Sequence, residues 1–455
     1  MSAKSQFGSK IGLIAATVGS AIGLGNVWRF PGETQANGGA AFLLLYILCV
    51  LCLGIPVMLA EFSLGRAGRS DAIGAFRKLS PRSPWWIVGL IGVIASYLIL
   101  CYYMVVAGWT LEYLVESIGG GLYSGIQADN SAALRDAFNA RMDIYVASDL
   151  RPLLYTFALI GMNIAVLLGG VQKGIEKLSN ILMPVLFVIL LVIVCVTLSL
   201  PNAADGVRYF LSPDFGKITP ATVINALGQA FFSLSLGMGI IITFASYYHD
   251  NTNLTRTSVI VSLLSLLVAL LMGLIIFPAV TSFGLDKEPL EGATLVFVTL
   301  PQVFARLPMP LLWSSLFFLL LLVAALTSTV SLAEVSIAMV QDRLSISRRK
   351  AVTIVMSPLF VLSALCSLSF GSLSGFKIFG LTIFGLLDTF TTDILLPAVS
   401  IGVCIYVGWF APRNMLRDEL TNYGAIRSPW SPAVRAIIRY AAPLLIASIL
   451  IFNYL

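Results

Sequence analysis

The chain has 455 residues, of which 58% are hydrophobic and only 11% are charged. A typical soluble domain carries about 25% charged residues, so this composition excludes a water-soluble globular protein and calls for a bilayer. The formal net charge of +6 gathers in loops on one side of the apolar segments, which points to membrane topology and to no nucleic-acid partner.

Eleven apolar stretches each approach or exceed the roughly 20 residues that cross about 30 Å of hydrocarbon. They fall at 11–35, 40–65, 86–116, 152–170, 178–200, 220–247, 256–284, 309–341, 350–371, 376–410 and 433–455. The predicted class is an all-α membrane protein with about 11 transmembrane helices. Lys4 and Lys10 precede the first stretch, but Gly-rich polar breaks interrupt it and no cleavage site follows, so it is expected to stay as a span. With a cytoplasmic N-terminus, 19 of the 28 Lys and Arg lie in cytoplasmic segments, above all at 66–82, 343–350 and 413–439. The expected location is a bacterial inner (cytoplasmic) membrane, multi-pass, with the C-terminus outside. The cysteines (Cys49, Cys52, Cys101, Cys195, Cys366 and Cys404) all sit in apolar spans, which suggests small packing residues and neither a disulfide framework nor a zinc site.

Span one is interrupted near its middle by Gly19-Ser20-Ala21-Ile22-Gly23-Leu24-Gly25-Asn26. The outward connection at about 117–151 reads as a partly helical surface loop without identifiable chemistry. Span six carries a second interruption, Ser233-Leu234-Ser235-Leu236-Gly237-Met238-Gly239, five spans after the first. A broken helix frees peptide groups that hydrocarbon cannot solvate, so it survives only where it is buried or lines a polar site. Paired breaks in two halves of a chain point to an inverted-repeat transporter with its site at mid-membrane. Asn26, Ser233, Ser235, Thr327 and Ser328 supply hard neutral oxygens near these breaks, suited to a monovalent cation. Few carboxylates and the single histidine, His249, argue against zinc or calcium. Taken alone, Thr327 and Ser328 fit ordinary helix packing better, because membrane hydroxyls commonly bond back to their own helix. His249, at the end of span six, is expected to be solvated. Glu61 and Glu334 are expected to be structural hydrogen-bond hubs.

Residues 19–31 and 37–42, followed by 61–66, 102–103, 108–111, 228–239, 243–247 and 326–328, together resemble the neurotransmitter:sodium symporter family over nearly the whole chain. Eleven spans fit its bacterial members. The resemblance implies the leucine-transporter fold, a 5+5 inverted repeat with discontinuous helices 1 and 6. The ten-helix core would occupy 1–410, with repeat one at about 1–200 and repeat two at about 215–410. A cytoplasmic loop and the eleventh helix would occupy 411–455. It further implies sodium-coupled import of a neutral, hydrophobic or aromatic amino acid by alternating access, in a monomer or weak dimer, and no enzymatic activity.

Two sodium ions are implied. One would be held by the carbonyls of Gly19, Ile22 and Ala324 with the hydroxyls of Thr327 and Ser328. The other would be held by the Ala21 carbonyl, Asn26, Ser233 and the carboxylate of the substrate itself, which couples ion to substrate. The substrate would meet Ala21, Gly23, Leu24, Gly25, Ile99, Tyr103, Phe232, Ser233, Ser235, Met238, Ser328 and Leu332. Relatives that carry monoamines have an aspartate at the place of Gly23, so glycine here favours a substrate that brings its own carboxylate.

Span seven departs from the bacterial pattern, since no acidic residue stands near the ion site. Animal relatives have a serine there and bind chloride, and Tyr46, Gln229, Ser233 and Ser265 fit that set. Chloride binding and plain packing of Ser265 stand level on this reasoning, with Ser262 as an alternative register. Arg29 and Asp388 are expected to form an outer gate above Tyr103 and Phe232. Lys4, Asp342 and Tyr247 are expected to form an inner one. The family usually has arginine and tryptophan where this chain has Lys4 and Phe7, so a weak inner lock and a larger inward-open population are expected. Asp393, deep in span ten, fits either a protonated structural group or a counter-charge in the transport cycle. Other readings are a taurine- or choline-like substrate, a driving proton in place of sodium, and, with less support, a channel or receptor.

Overall fold

The computed structural model describes residues 6–126, 131–285, 290 and 292–452. Among the described residues nine helices are long and apolar enough to cross a membrane, and a tenth span is the bent pair Lys10–Ala21 and Gly25–Ala36, whose axes differ by 54°. The sixth expected span is split into Pro220–Ser233 and Ile240–Ala245, each too short to cross alone. Both expected interruptions are therefore present, five spans apart. Span ten begins later than expected, at Ile383. The preceding apolar residues instead turn back on themselves at Phe379 and Gly380, both with positive φ, and pair as an Ile378–Leu381 bridge.

Burial separates the bundle into a centre and a rim. In Pro310–Leu344, span eight, 89% of the most apolar stretch is buried, against 28% in Ser431–Phe452, the last span. Small residues on span eight, from Ala324 to Ser331, explain its central place, because they let the broken helices approach closely. The outward connection does contain a helix, Ser131–Ala147. Arg141 pairs with Glu116 at 2.8 Å and so ties that helix to span three.

The break in span six follows directly from its residues. Ser235, Gly237 and Gly239 all take positive φ, which stops the helix at Ser233 and restarts it at Ile240. Position 237 requires glycine twice over, since a Cβ there would also stand 2.5 Å from the Leu396 carbonyl oxygen. The peptide N–H freed at Gly237 donates to Glu61 Oε1 of span two at 2.8 Å, so a buried carboxylate replaces the missing helical partner. Glu334 is a hub in the same sense: it accepts from Tyr247 Oη at 2.7 Å and from both guanidinium nitrogens of Arg348 at 2.9 and 2.6 Å.

Candidate functional site

The two breaks meet. Ser235 Oγ donates to the Ser20 carbonyl at 2.8 Å, and the Leu24 N–H of span one donates to Tyr103 Oη of span three at 2.9 Å. Eleven of the twelve residues expected around a substrate line one central pocket, and Leu24 lines the larger cavity next to it. Ser20 and Ile240 also line the pocket and were not expected. Their places immediately beside the two glycine clusters were the available signal. The pocket wall at Gly23 is close: a Cβ there would lie 2.9 Å from both Ser328 Oγ and Tyr103 Oη. An aspartate at that position would have to displace both hydroxyls.

Oxygens collect at two places beside the pocket. At the first, Ser328 Oγ lies 3.2 Å from the Ile22 carbonyl oxygen and 3.4 Å from that of Gly19. Thr327 Oγ1 instead donates back to the Val323 and Ala324 carbonyls of its own helix, both at 3.1 Å, as the packing reading expects. Gly19 nevertheless faces it, with an added Cβ falling 3.3 Å from Thr327 Cβ. At the second, Asn26 is fully buried, its Nδ2 donates to Ser265 Oγ at 3.1 Å, and its Oδ1 has no partner. An unpartnered buried amide oxygen is costly unless something completes it, and a cation does so. Among the described residues no His, Cys, Asp or Glu cluster could hold a metal, so only neutral oxygens are on offer here. These donors suit sodium as a transported ion.

The expected anion set also converges. Tyr46 Oη donates to Ser233 Oγ at 2.9 Å, Ser265 Oγ donates to the Ser233 carbonyl at 3.1 Å, and Gln229 Nε2 donates to the Gly25 carbonyl at 3.3 Å. Ser265, and not Ser262, makes these contacts; Ser262 Oγ is buried without a partner.

The two ends of the path differ. On the side of the pocket away from the N-terminal segment lies a cavity of 780 Å³, while the central pocket itself measures 30 Å³. Gly25, Tyr103 and Phe232 line both, so they form the boundary between them. The expected Arg29–Asp388 pair is not formed: both residues line the large cavity, but Arg29 lies 3.7 Å from Glu33 and stacks over the Phe232 ring at 5.0 Å. Glu33 is its fourth neighbour along the helix and so lies within reach.

At the other end, termed inner after the expected orientation, Phe7 is buried and packs against Phe244, Tyr247 and Tyr248. Asp342 Oδ2 accepts the backbone N–H of Asp71 at 2.9 Å, while Tyr247 turns to Glu334. Lys4 lies outside the described residues. His249 is half-buried and also contacts the Phe7 carbonyl oxygen at 2.8 Å. Aromatic packing thus closes the inner end in this conformation. Asp393 lines the large cavity, and the Thr392 hydroxyl donates to its Oδ1 at 3.1 Å.

Known proteins agree with this arrangement. The profile of the Sodium:neurotransmitter symporter family matches residues 4–131 and 135–455. An uncharacterised sodium-dependent transporter of Bacillus subtilis, YhdH, is 36% identical over 441 residues, covering 97% of this chain and 96% of that protein. An uncharacterised sodium-dependent transporter of Methanocaldococcus jannaschii is 34% identical over 93% of this chain and 85% of its own length. The crystal structure of MhsT in complex with L-phenylalanine superposes with a TM-score of 0.89 at 37% identity, covering 99% of this chain and all of that one. The chain therefore belongs to the sodium:neurotransmitter symporter family, whose members are membrane-embedded, sodium-using secondary transporters of small molecules and not enzymes.

Proposed function

We propose that the protein imports a neutral amino acid with a hydrophobic or aromatic side chain, driven by two sodium ions, across a bacterial inner membrane with its N-terminus in the cytoplasm. The observation that carries this reading is the buried Asn26 Oδ1 without a partner, held beside two helix breaks whose peptide groups face a common pocket. The first ion would be held at Ser328 with the Gly19, Ile22 and Ala324 carbonyls and Thr327. The second would be held by Asn26, Ser233 and the Ala21 carbonyl, completed by the substrate's carboxylate. That shared ligand is the coupling: each partner supplies the charge that makes burial of the other affordable. Glycine at position 23, tight against Tyr103 and Ser328, supports a substrate carrying its own carboxylate. Ile99, Met238 and Leu332 supply apolar walls, and the phenylalanine named in the MhsT structure agrees with them.

Chloride is the second part of the reading. The cluster of Tyr46, Gln229, Ser233 and Ser265 contains hydroxyl and amide donors and no carboxylate, so two buried cations beside a zwitterion lack a counter-charge from the chain. Each sodium ion contributes about 2.3 kcal/mol per 100 mV of membrane potential, in addition to its concentration gradient.

The test is uptake by purified protein in proteoliposomes. A labelled hydrophobic amino acid is offered with a panel of competitors, and sodium and chloride are varied separately at fixed pH. Sodium-dependent uptake, competed by hydrophobic and aromatic amino acids and slowed when gluconate replaces chloride, is expected. Uptake that persists without sodium overturns the driving ion, and uptake indifferent to gluconate overturns the chloride assignment.

A further inference from the structure

Far from the transport path, a groove of 370 Å³ opens where span seven begins and where the chain enters its last span. Its polar end holds Arg256 and Arg427, both exposed, on two segments distant in sequence. Among the described residues neither guanidinium makes an ion pair with a carboxylate, whereas Arg66 and Arg69, at the same end of the bundle, are bound to Glu419 and Asp250. Two unpaired guanidiniums facing one groove repel each other and favour a shared anion.

The rest of the groove is apolar. Val259, Ile260 and Pro429 line it, and Trp430 stands at its rim with 69% of its surface exposed. The same side of span seven continues toward the bilayer centre as Leu263 and Leu267, which are also exposed. Span seven starts at Leu254 and the last span at Ser431, so the groove sits at the level where helices enter the hydrocarbon. Tryptophan at that depth marks the headgroup boundary. A cationic mouth, an interfacial ring and an apolar track running into the membrane match an anionic amphiphile, and a soluble anion would use only the first of these.

We propose that this groove binds an anionic phospholipid, its phosphate between Arg256 and Arg427 and one acyl chain along Val259, Leu263 and Leu267. The walls of the site are rigid. Arg66 donates to the Thr252 carbonyl at 2.6 Å and to Glu419, which fixes the span-seven start against the helix Met415–Leu420. Bound lipid thereby staples the last span, of which only 28% of the most apolar stretch is buried, to the core at the inner end.

The experiment uses the full chain in phosphatidylcholine nanodiscs with and without a minority of phosphatidylglycerol. Wild-type protein should retain phosphatidylglycerol in native mass spectra and melt at a higher temperature with it present. The double variant Arg256→Ala/Arg427→Ala should melt as wild type in phosphatidylcholine alone but bind phosphatidylglycerol about thirtyfold more weakly. Arg349→Ala, an exposed arginine of the same end outside the groove, should bind it as wild type does. Equal phosphatidylglycerol retention by the double variant and wild type overturns the proposal. So does equal stabilisation by inorganic phosphate, which would make the ligand a free anion. A second measurement does not depend on the arginine variants: brominated phosphatidylglycerol should quench Trp430 more than brominated phosphatidylcholine, read as the difference between wild type and Trp430→Phe. Equal quenching by the two lipids overturns the proposal as well.

Discussion

The inner and outer ends of the transport path are built from different materials. At the inner end Phe7 is packed among three aromatic rings, and Glu334 is bound by Tyr247 and Arg348 out of contact with water. At the outer end Arg29 leans on Phe232 and Glu33, within a 780 Å³ cavity. Packed rings and buried, fully partnered charges resist opening, because separating them costs both desolvated contacts and orphaned charge. A half-exposed arginine can exchange partners at almost no cost. The difference teaches that ring packing and buried, partnered charge close one end, while a cavity at the other leaves Arg29 free to exchange partners.

The largest effect should come from breaking the inner hub. Glu334→Ala leaves Arg348 buried beside a Tyr247 hydroxyl without its acceptor, and a loss of about 3–5 kcal/mol is expected. Thermal unfolding in detergent, with cysteine labelling along the inner path, should report a lower melting temperature and greater access. Unchanged labelling would mean that the hub does not hold the inner end shut. An intermediate effect is expected at the ion site. Ser328→Ala removes the hydroxyl that faces the Gly19 and Ile22 carbonyls, a loss of about 1.5 kcal/mol, so the sodium concentration for half-maximal uptake should rise roughly tenfold. The smallest effect should be at the outer end. Arg29→Ala gives up a stacking contact of about 0.5–1 kcal/mol, which should change outer accessibility by fivefold or less while the melting temperature stays near wild type. A drop as large as that of Glu334→Ala would erase the contrast between the ends.

Much of the site was legible before the fold was known, and for a definite reason. Glycine clusters inside apolar runs are costly in a bilayer unless they are used, so the segments around Gly23 and Gly237 announced themselves. The motif resemblance then assigned individual residues, and eleven of twelve gather around one pocket. The outer gate was less legible, because a pair on two different spans depends on how far those spans stand apart. Arg29 and Asp388 carry opposite charges and line one cavity, yet Arg29 is engaged by Glu33 on its own helix and by the Phe232 ring. Thr327 shows the same limit within one helix, where its hydroxyl has carbonyls of its own to satisfy.

The sequence by itself determined the solvent of this protein, its number of apolar segments and the two places where a helix must break, because hydropathy and glycine content act locally along the chain. Only the tertiary structure decided which side of the pocket is open, which serine of span seven meets Asn26 and Ser233, and that two arginines far apart in the chain share a groove. Those outcomes rest on distances between helices, and such distances follow from packing many side chains at once.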